Sequence, residues 1–188
     1  MRKTMSALLY TALIAVANPA IGDMSDIESL RQGDMRKLNF HESPWDGSDA
    51  VFQHEDGSEI TLADYEGSIV VLNFWATWCA PCRKEMPHLS ALQADMGGDD
   101  LQVVTVATGR NPRPAMERFF TEIAVENLPL HSDERQSLSR SMGVLGLPAT
   151  IILGRDGREL GRMQGEADWS SESAVQILEA IIALPADS

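Results

Sequence analysis

Cysteine is nearly missing from this chain: Cys79 and Cys82 are the whole supply among 188 residues. A scaffold stapled by several disulfides is excluded. So is a four-cysteine zinc site, since structural zinc takes about four ligands and there is no second Cys pair. Histidine is almost as scarce, and His41, His54, His88 and His131 are scattered with no ligand spacing. Positive charge is also in short supply. Fifteen Lys and Arg stand against 28 Asp and Glu, a formal net charge of −13. That balance argues against nucleic acid and anionic membrane surfaces as main partners, and reads mainly as a solubility trait. No internal repeat and no low-complexity tract is present. What remains is a soluble globular composition, 44% hydrophobic, long enough for one domain with a proper core.

The two cysteines are separated by two residues in the run Phe74-Trp75-Ala76-Thr77-Trp78-Cys79-Ala80-Pro81-Cys82. A strand-like stretch ends just before them and a helix-like stretch begins with them. A structural disulfide usually ties distant segments, because larger loops gain more from closure. A thiol at a helix start instead favours its thiolate, which the free N–H groups and the helix dipole stabilise. The thiolate is the nucleophile of disulfide exchange, so the pair reads as a redox site.

The N-terminus reads as a secretory leader. Arg2 and Lys3 form a basic start, and Met5 to Ala17 is an uncharged apolar run. It is shorter than the ~20 residues a spanning helix needs. Cleavage is expected after Gly22, with Ala17 as the other site. Removing residues 1–22 takes away two positive charges and no negative one, leaving −15. The alternative is retention as an anchor. Either way the folded part is expected outside the cytoplasm.

Apolar positions Met24, Ile27, Leu30 and Met35 predict a short amphipathic helix weakened by Gly33. Residues 41–49 read as a loop. Val51-Phe52 and Ile60 flank an Asp56-Gly57 turn and read as a hairpin. Leu62 to Tyr65 reads as a turn or short helix. Ile69 to Trp75 fits a strand buried on both faces. A helix is expected from Pro81 to Met96, with Pro87 kinking it and Gly97-Gly98 ending it. A strand over Leu101 to Ala107 follows, then a loop and a helix from Pro114 to near Val125. Leu128 to His131 reads as a short strand. Ser132 or Asp133 would cap a helix to about Met142. Ala149–Leu153 and Glu159–Gln164 read as paired strands, and Ser170 or Ser171 to Leu184 as a last helix. The fold class is α/β, a central mixed sheet flanked by helices.

The run around Cys79 and Cys82, with Glu85-Met86-Pro87 and Gly146-Leu147-Pro148-Ala149-Thr150, resembles the thioredoxin superfamily and its TlpA/ResA-like branch. The resemblance covers about Val51 to Leu184. It implies a thioredoxin-like fold with an N-terminal hairpin and a central strand-helix insertion. The expected division is 1–22 leader, 23–49 N-terminal helix and linker, and 50–188 thioredoxin-like domain. The implied activity is dithiol–disulfide exchange with other proteins, supplied with electrons by a membrane donor and needing no cofactor or metal. The implied clients are cysteines of apocytochrome c or of copper-oxidase assembly. The protein is expected to be a monomer, on a membrane only if its N-terminal segment is retained.

One position departs from thioredoxin, whose buried Asp is replaced here by Asn73. The branch resembles proteins with a Glu three residues past the second Cys, which is Glu85. Helical spacing puts Glu85 on the face of Cys82, where a carboxyl in an apolar site can accept a proton near neutrality. Cys79 is expected to be the exposed, attacking thiol and Cys82 the buried, resolving one. Pro148 resembles the cis-proline that faces the CxxC and holds the backbone of Leu147 beside it. Trp78 is expected to form an apolar rim for a partner, and Trp75 to be core. Trp45 and Trp169 have no expected role beyond packing, and no metal role is expected for His88. Arg110 to Arg113 reads as a solvated charged loop or a basic partner contact. Two rival readings use the same cysteines: a Cu(I)-handling module, since soft thiolates suit that ion, and a disulfide-donating oxidant.

Overall fold

The computed structural model describes residues 24–185. The leader expected over residues 1–22 lies outside the described residues. No described helix is long and apolar enough to cross a membrane.

The chain opens with helix α1 (Met24–Ser29) and a 3-10 turn over Gly33–Lys37. Residues 30–32 separate them and Gly33, at a φ of +52°, begins the second, so the single weakened helix expected there is two short pieces. Strand β1 (Asn39–Trp45) follows, then the hairpin β2 (Phe52–Gln53) and β3 (Glu59–Ile60). A second 3-10 turn, Leu62–Tyr65, carries a reciprocal cap between Thr61 and Asp64. The central strand β4 (Ile69–Trp75) leads into α2 (Ala80–Met96), with Pro87 inside it. Then come β5 (Leu101–Thr108), α3 (Arg113–Glu122), β6 (His131–Asp133) and α4 (Ser137–Ser141). Strands β7 (Ala149–Leu153) and β8 (Glu159–Gln164) and helix α5 (Glu172–Ile182) complete the described chain.

All eight strands join one sheet in the order β1-β8-β7-β4-β5-β6-β2-β3. The strands β4, β5 and β6 run parallel, and the outer pairings are antiparallel, which makes the sheet mixed. Alternate residues of β4 feed two cores. Ile69, Val71 and Trp75 pack with α2, α3 and α5, while Val70, Leu72 and Phe74 pack with Leu138 and Met142 around α4. A strand buried on both faces has no polar side to show, which explains its apolar run, broken only by Asn73. The insertion is α3 and β6, which extend the parallel part of the sheet by one strand and bring the hairpin onto its edge.

Three expectations are corrected. The segment read as a loop over 41–49 is largely strand β1. It is an edge strand, so Pro44 is tolerated there. Gly161 of β8 lets it approach: a Cβ at that position would lie 2.7 Å from the Asn39 carbonyl. Buried Glu159 of β8 accepts from His41 of β1 and from Arg162. The short strand expected over Leu128–His131 begins at His131 instead, where pairing with Val106 of β5 becomes possible. Asp133 does cap the next helix, but from a distance. Gln136 turns through a φ of +58°, and the Asp133 carboxylate accepts from Ser137 N and Ser139 N, each at 2.8 Å.

Candidate active site

Parallel strand β4 ends at buried Trp75, and the chain turns over Ala76–Trp78 into α2. Cys79 is the N-cap of this 17-residue helix; its Sγ accepts from the Cys82 N–H at 3.2 Å. The helix start therefore directs N–H groups and the positive end of its dipole at Cys79. The two cysteines form a disulfide with Cα atoms 5.3 Å apart. Cys82 is fully buried and Cys79 is 5% exposed, so Cys79 is the more accessible sulfur but is largely covered rather than open.

The loop before Cys79 is clamped from the side. Asn111, buried in the β5–α3 loop, accepts from Thr77 N at 2.8 Å and Thr77 Oγ at 3.0 Å. Its Nδ2 donates to the Thr108 carbonyl at 2.9 Å and the Gly109 carbonyl at 3.3 Å. The Arg110–Arg113 segment thus contributes a positioning amide rather than only charge. Asn111→Ala leaves the buried Thr108 carbonyl and the half-buried Thr77 and Gly109 groups without this partner. It is expected to destabilise the fold by about 1–3 kcal/mol and to slow exchange as the Cys79 loop loosens. Thermal denaturation and exchange rates measured together test this; a lower Tm with an unchanged rate would mean that the clamp serves only the fold.

Behind Cys82, one turn along α2, lies Glu85, 1% exposed. Its Oε1 accepts from the Trp169 indole N–H at 2.8 Å and its Oε2 from Asn73 Nδ2 at 3.0 Å. The Ala167 backbone N–H is a third donor. Asn73 Nδ2 also donates to Thr150 Oγ at 2.9 Å. Burial pushes the Glu85 carboxyl up to about 7, against the three hydrogen bonds, which favour its ionised form. The site therefore holds an acid that changes charge near neutral pH.

The Leu147–Pro148 peptide bond is cis. Register sets its height in the sheet: Asn73 pairs with Thr150 and Phe74 with Ala149, so Pro148 comes level with the end of β4, the strand that leads into the CxxC. Its carbonyl accepts from Gly165 N at 2.9 Å and Gln164 Nε2 at 3.0 Å. Two large apolar side chains stand out: Trp78 at 71% exposure and Leu145 at 97%. Trp75 is core, stacked on Phe120 and tilted against Phe119. Trp45 is exposed and stacks on His41. His88 contacts Ser170 and Asp168. Among the described residues there is no cluster of three or more His, Cys, Asp or Glu fit for a metal.

Sequence reasoning missed Trp169, Asn111 and Thr150 as parts of this site. Trp169 lies 84 positions from the carboxyl it touches, and nothing in its neighbourhood marks it as other than packing. Thr150 was legible only as part of the Pro148 run.

The parallel-centred sheet, the CxxC at a strand-to-helix turn and the cis-proline level with the end of that strand define a thioredoxin-fold protein disulfide oxidoreductase. Residues 47–158 match the AhpC/TSA family model, and the chain belongs to that family. Its curated relatives include the thiol-disulfide oxidoreductase ResA of Geobacillus thermodenitrificans, 31% identical over 133 residues, 71% of this chain and 74% of the relative. Among solved structures, one from Chlorobium tepidum bears the name thiol:disulfide interchange protein DsbE. It is 27% identical with a TM-score of 0.65, covering 75% of this chain and 98% of that one. The exposed lipoprotein thioredoxin Etrx1 of Streptococcus pneumoniae is 26% identical with a TM-score of 0.60, covering 70% and 98%.

Proposed function

We propose that this enzyme reduces disulfides in partner proteins outside the cytoplasm, with Cys79 as the attacking sulfur and Cys82 as the resolving one. The observation that carries the reading is the unequal pair: Cys79 caps a long helix at the surface side, and Cys82 is sealed beside a buried acid. In the reduced enzyme the Cys79 thiolate attacks a partner disulfide. One Cys79–partner S–S bond forms, the partner S–S bond breaks, and the first partner sulfur leaves and takes a proton. Cys82 gives its proton to Glu85 and attacks Cys79. The Cys79–Cys82 bond forms, the Cys79–partner bond breaks, and the second partner sulfur leaves as a thiolate and takes a proton. Two electrons have moved to the partner, and a membrane dithiol donor returns the enzyme to its reduced form.

Trp78 and the backbone of Leu147 are the proposed partner contacts, with Pro148 holding that backbone for an added strand. The proposed clients are cysteines of apocytochrome c awaiting haem or of copper-oxidase assembly. Residues 1–22 act as the leader that delivers residues 50–188 to the periplasm, where the domain works as a monomer. The Etrx1 likeness supports an extracytoplasmic setting, since that protein is an exposed lipoprotein.

Cys82→Ser is the direct test. The variant is expected to accumulate a covalent complex with its partner through Cys79, visible on non-reducing gels and lost on adding dithiol. Normal attack by Cys79 with no complex captured would refute the resolving role of Cys82. Tight stoichiometric Cu(I) binding with negligible exchange would point to the metal-handling reading.

A further inference from the structure

Glu85 is surrounded by donors of two kinds. The Trp169 indole N–H and the Ala167 backbone N–H can only donate. The Asn73 side-chain amide is different, because a half-turn about one bond exchanges its donor end for its acceptor end. In the structure both hydrogens of Nδ2 are used, on Glu85 Oε2 and on Thr150 Oγ. The other end is not used: Asn73 Oδ1 is buried and has no hydrogen-bond partner. Buried polar atoms are nearly always paired. A pocket shaped to hold this amide in one orientation would supply a donor to Oδ1, and this one does not.

The observed orientation complements the ionised carboxylate, which only accepts. A protonated Glu85 carries one O–H donor and needs an acceptor. That proton does not fit Oε1, which faces the indole N–H. On Oε2 it would meet the Asn73 NH2 donor to donor. Turning the amide over removes the conflict. Oδ1 then accepts from Glu85 Oε2–H and from the Thr150 hydroxyl, which donates as readily as it accepts. The NH2 moves to the place Oδ1 now occupies, so each orientation leaves one end unpartnered and neither is locked.

We propose that Asn73 is the positioning residue for the Glu85 proton: the proton resides on Oε2, and the Asn73 amide turns over as Glu85 gains and loses it. The step moves no electrons. When Cys82 gives up its proton, the thiol becomes a thiolate, the Glu85 carboxylate becomes a carboxyl, and the amide presents its oxygen. That link to Cys82 rests on the proposed function; the turnover of the amide does not. The charged group whose field reaches Glu85 is Lys37, from the Gly33–Lys37 turn, which is tied to Asp34 at 2.9 Å. On α2 the facing cysteines are joined as a disulfide. Neither depends on the orientation of the amide.

The test is a pH titration of the full, oxidised chain by NMR. It follows the Asn73 side-chain NH2, its proximity to Thr150 and the Glu85 carboxyl carbon. The NH2 signals are expected to shift with the same midpoint as the Glu85 carbon, and the contacts from these hydrogens to Thr150 to fade on the acid side. Glu85→Gln is expected to hold the amide of Asn73 turned at every pH, because the substituted side chain must offer its oxygen to Trp169 and its own NH2 to Asn73. Asn73→Leu removes a charge-assisted bond to the ionised form and a weaker one to the neutral form. It should raise the Glu85 midpoint by about one pH unit and move the corresponding limb of the pH–rate profile with it. Contacts from the NH2 to Thr150 that persist unchanged through the Glu85 titration would overturn the proposal. An unmoved Asn73→Leu midpoint with a uniformly lower rate would reduce Asn73 to a packing residue. An unchanged pH–rate profile in Glu85→Gln would instead sink the role of Glu85 in exchange, and the NMR result would still stand.

Discussion

Serine in place of Cys79 is expected to bring disulfide exchange down to the uncatalysed background. Cys79 is where the helix dipole, the Cys82 N–H and the path to solvent converge. A hydroxyl there is a good N-cap, so α2 should form normally. It has no accessible anionic form near neutral pH, and the nucleophile of exchange is the thiolate. Removing the nucleophile from groups that act as a unit abolishes the function of the unit. The expected loss is at least about three orders of magnitude in kcat/KM. The bridge closes only a small ring, so its absence should change stability little. The comparison is with reduced wild-type protein, following release of thiols from a disulfide-bonded protein substrate. Retention of more than a few per cent of the wild-type rate would remove Cys79 from its assigned role.

The second large effect is on stability against pH. Glu85 is raised from an ordinary 4.5 to about 7 by burial. Below 4.5 the carboxyl is neutral whether the chain is folded or not, and the fold bears no cost of a buried charge. Between 4.5 and 7 the unfolded chain ionises Glu85 while the folded chain resists, so stability falls as pH rises. Above 7 both states are ionised and the loss is complete. At about 1.4 kcal/mol per pH unit the loss is on the order of 3 kcal/mol. His131 acts in the opposite sense. Burial, and after it the positive charge of neighbouring His54, pushes it down to about 4. Its contribution to stability is therefore lost as pH falls from 6.5 to 4. The two nearly cancel across the shared window, so the wild-type curve alone is uninformative. The difference between wild type and Glu85→Gln isolates Glu85. Denaturant unfolding at about pH 4.5 and about pH 8 should show the variant gaining on wild type by on the order of 3 kcal/mol. Parallel curves would mean that Glu85 titrates as an ordinary carboxyl.

How much of this was legible beforehand depends on what each residue depends upon. Cys79, Cys82 and Glu85 are local to one helix start, where spacing alone sets their relation. The strands Ile69–Trp75 and Ala149–Leu153 announce themselves, because burial on both faces leaves little room for polar residues, and Glu159–Gln164 is announced by the Asp156-Gly157 turn that pairs it with Ala149–Leu153. Strand β1 does not announce itself. Its His, Ser and Pro are compatible with a sheet only because it sits at an edge and Gly161 opposite leaves room for its backbone. The displaced start of α4 has a similar cause: Asp133 caps through a left-handed Gln136, a path with no signature in residue type. The partners of Glu85 are the clearest case. Asn73 could be singled out as a polar break in an apolar strand, but Trp169 could not, since an indole that donates to a buried acid reads the same as one that only packs. Asn111 clamps Thr77 across 34 positions, and only the closure of β5 onto β4 brings them together.

The reduction potential of the Cys79–Cys82 pair, measured against a graded thiol buffer, tests the direction of exchange most directly. The proposed reductase should lie at or below about −270 mV, the range of thioredoxin. A value of about −120 mV, that of strong disulfide donors, would contradict it and make the enzyme an oxidant of its partners.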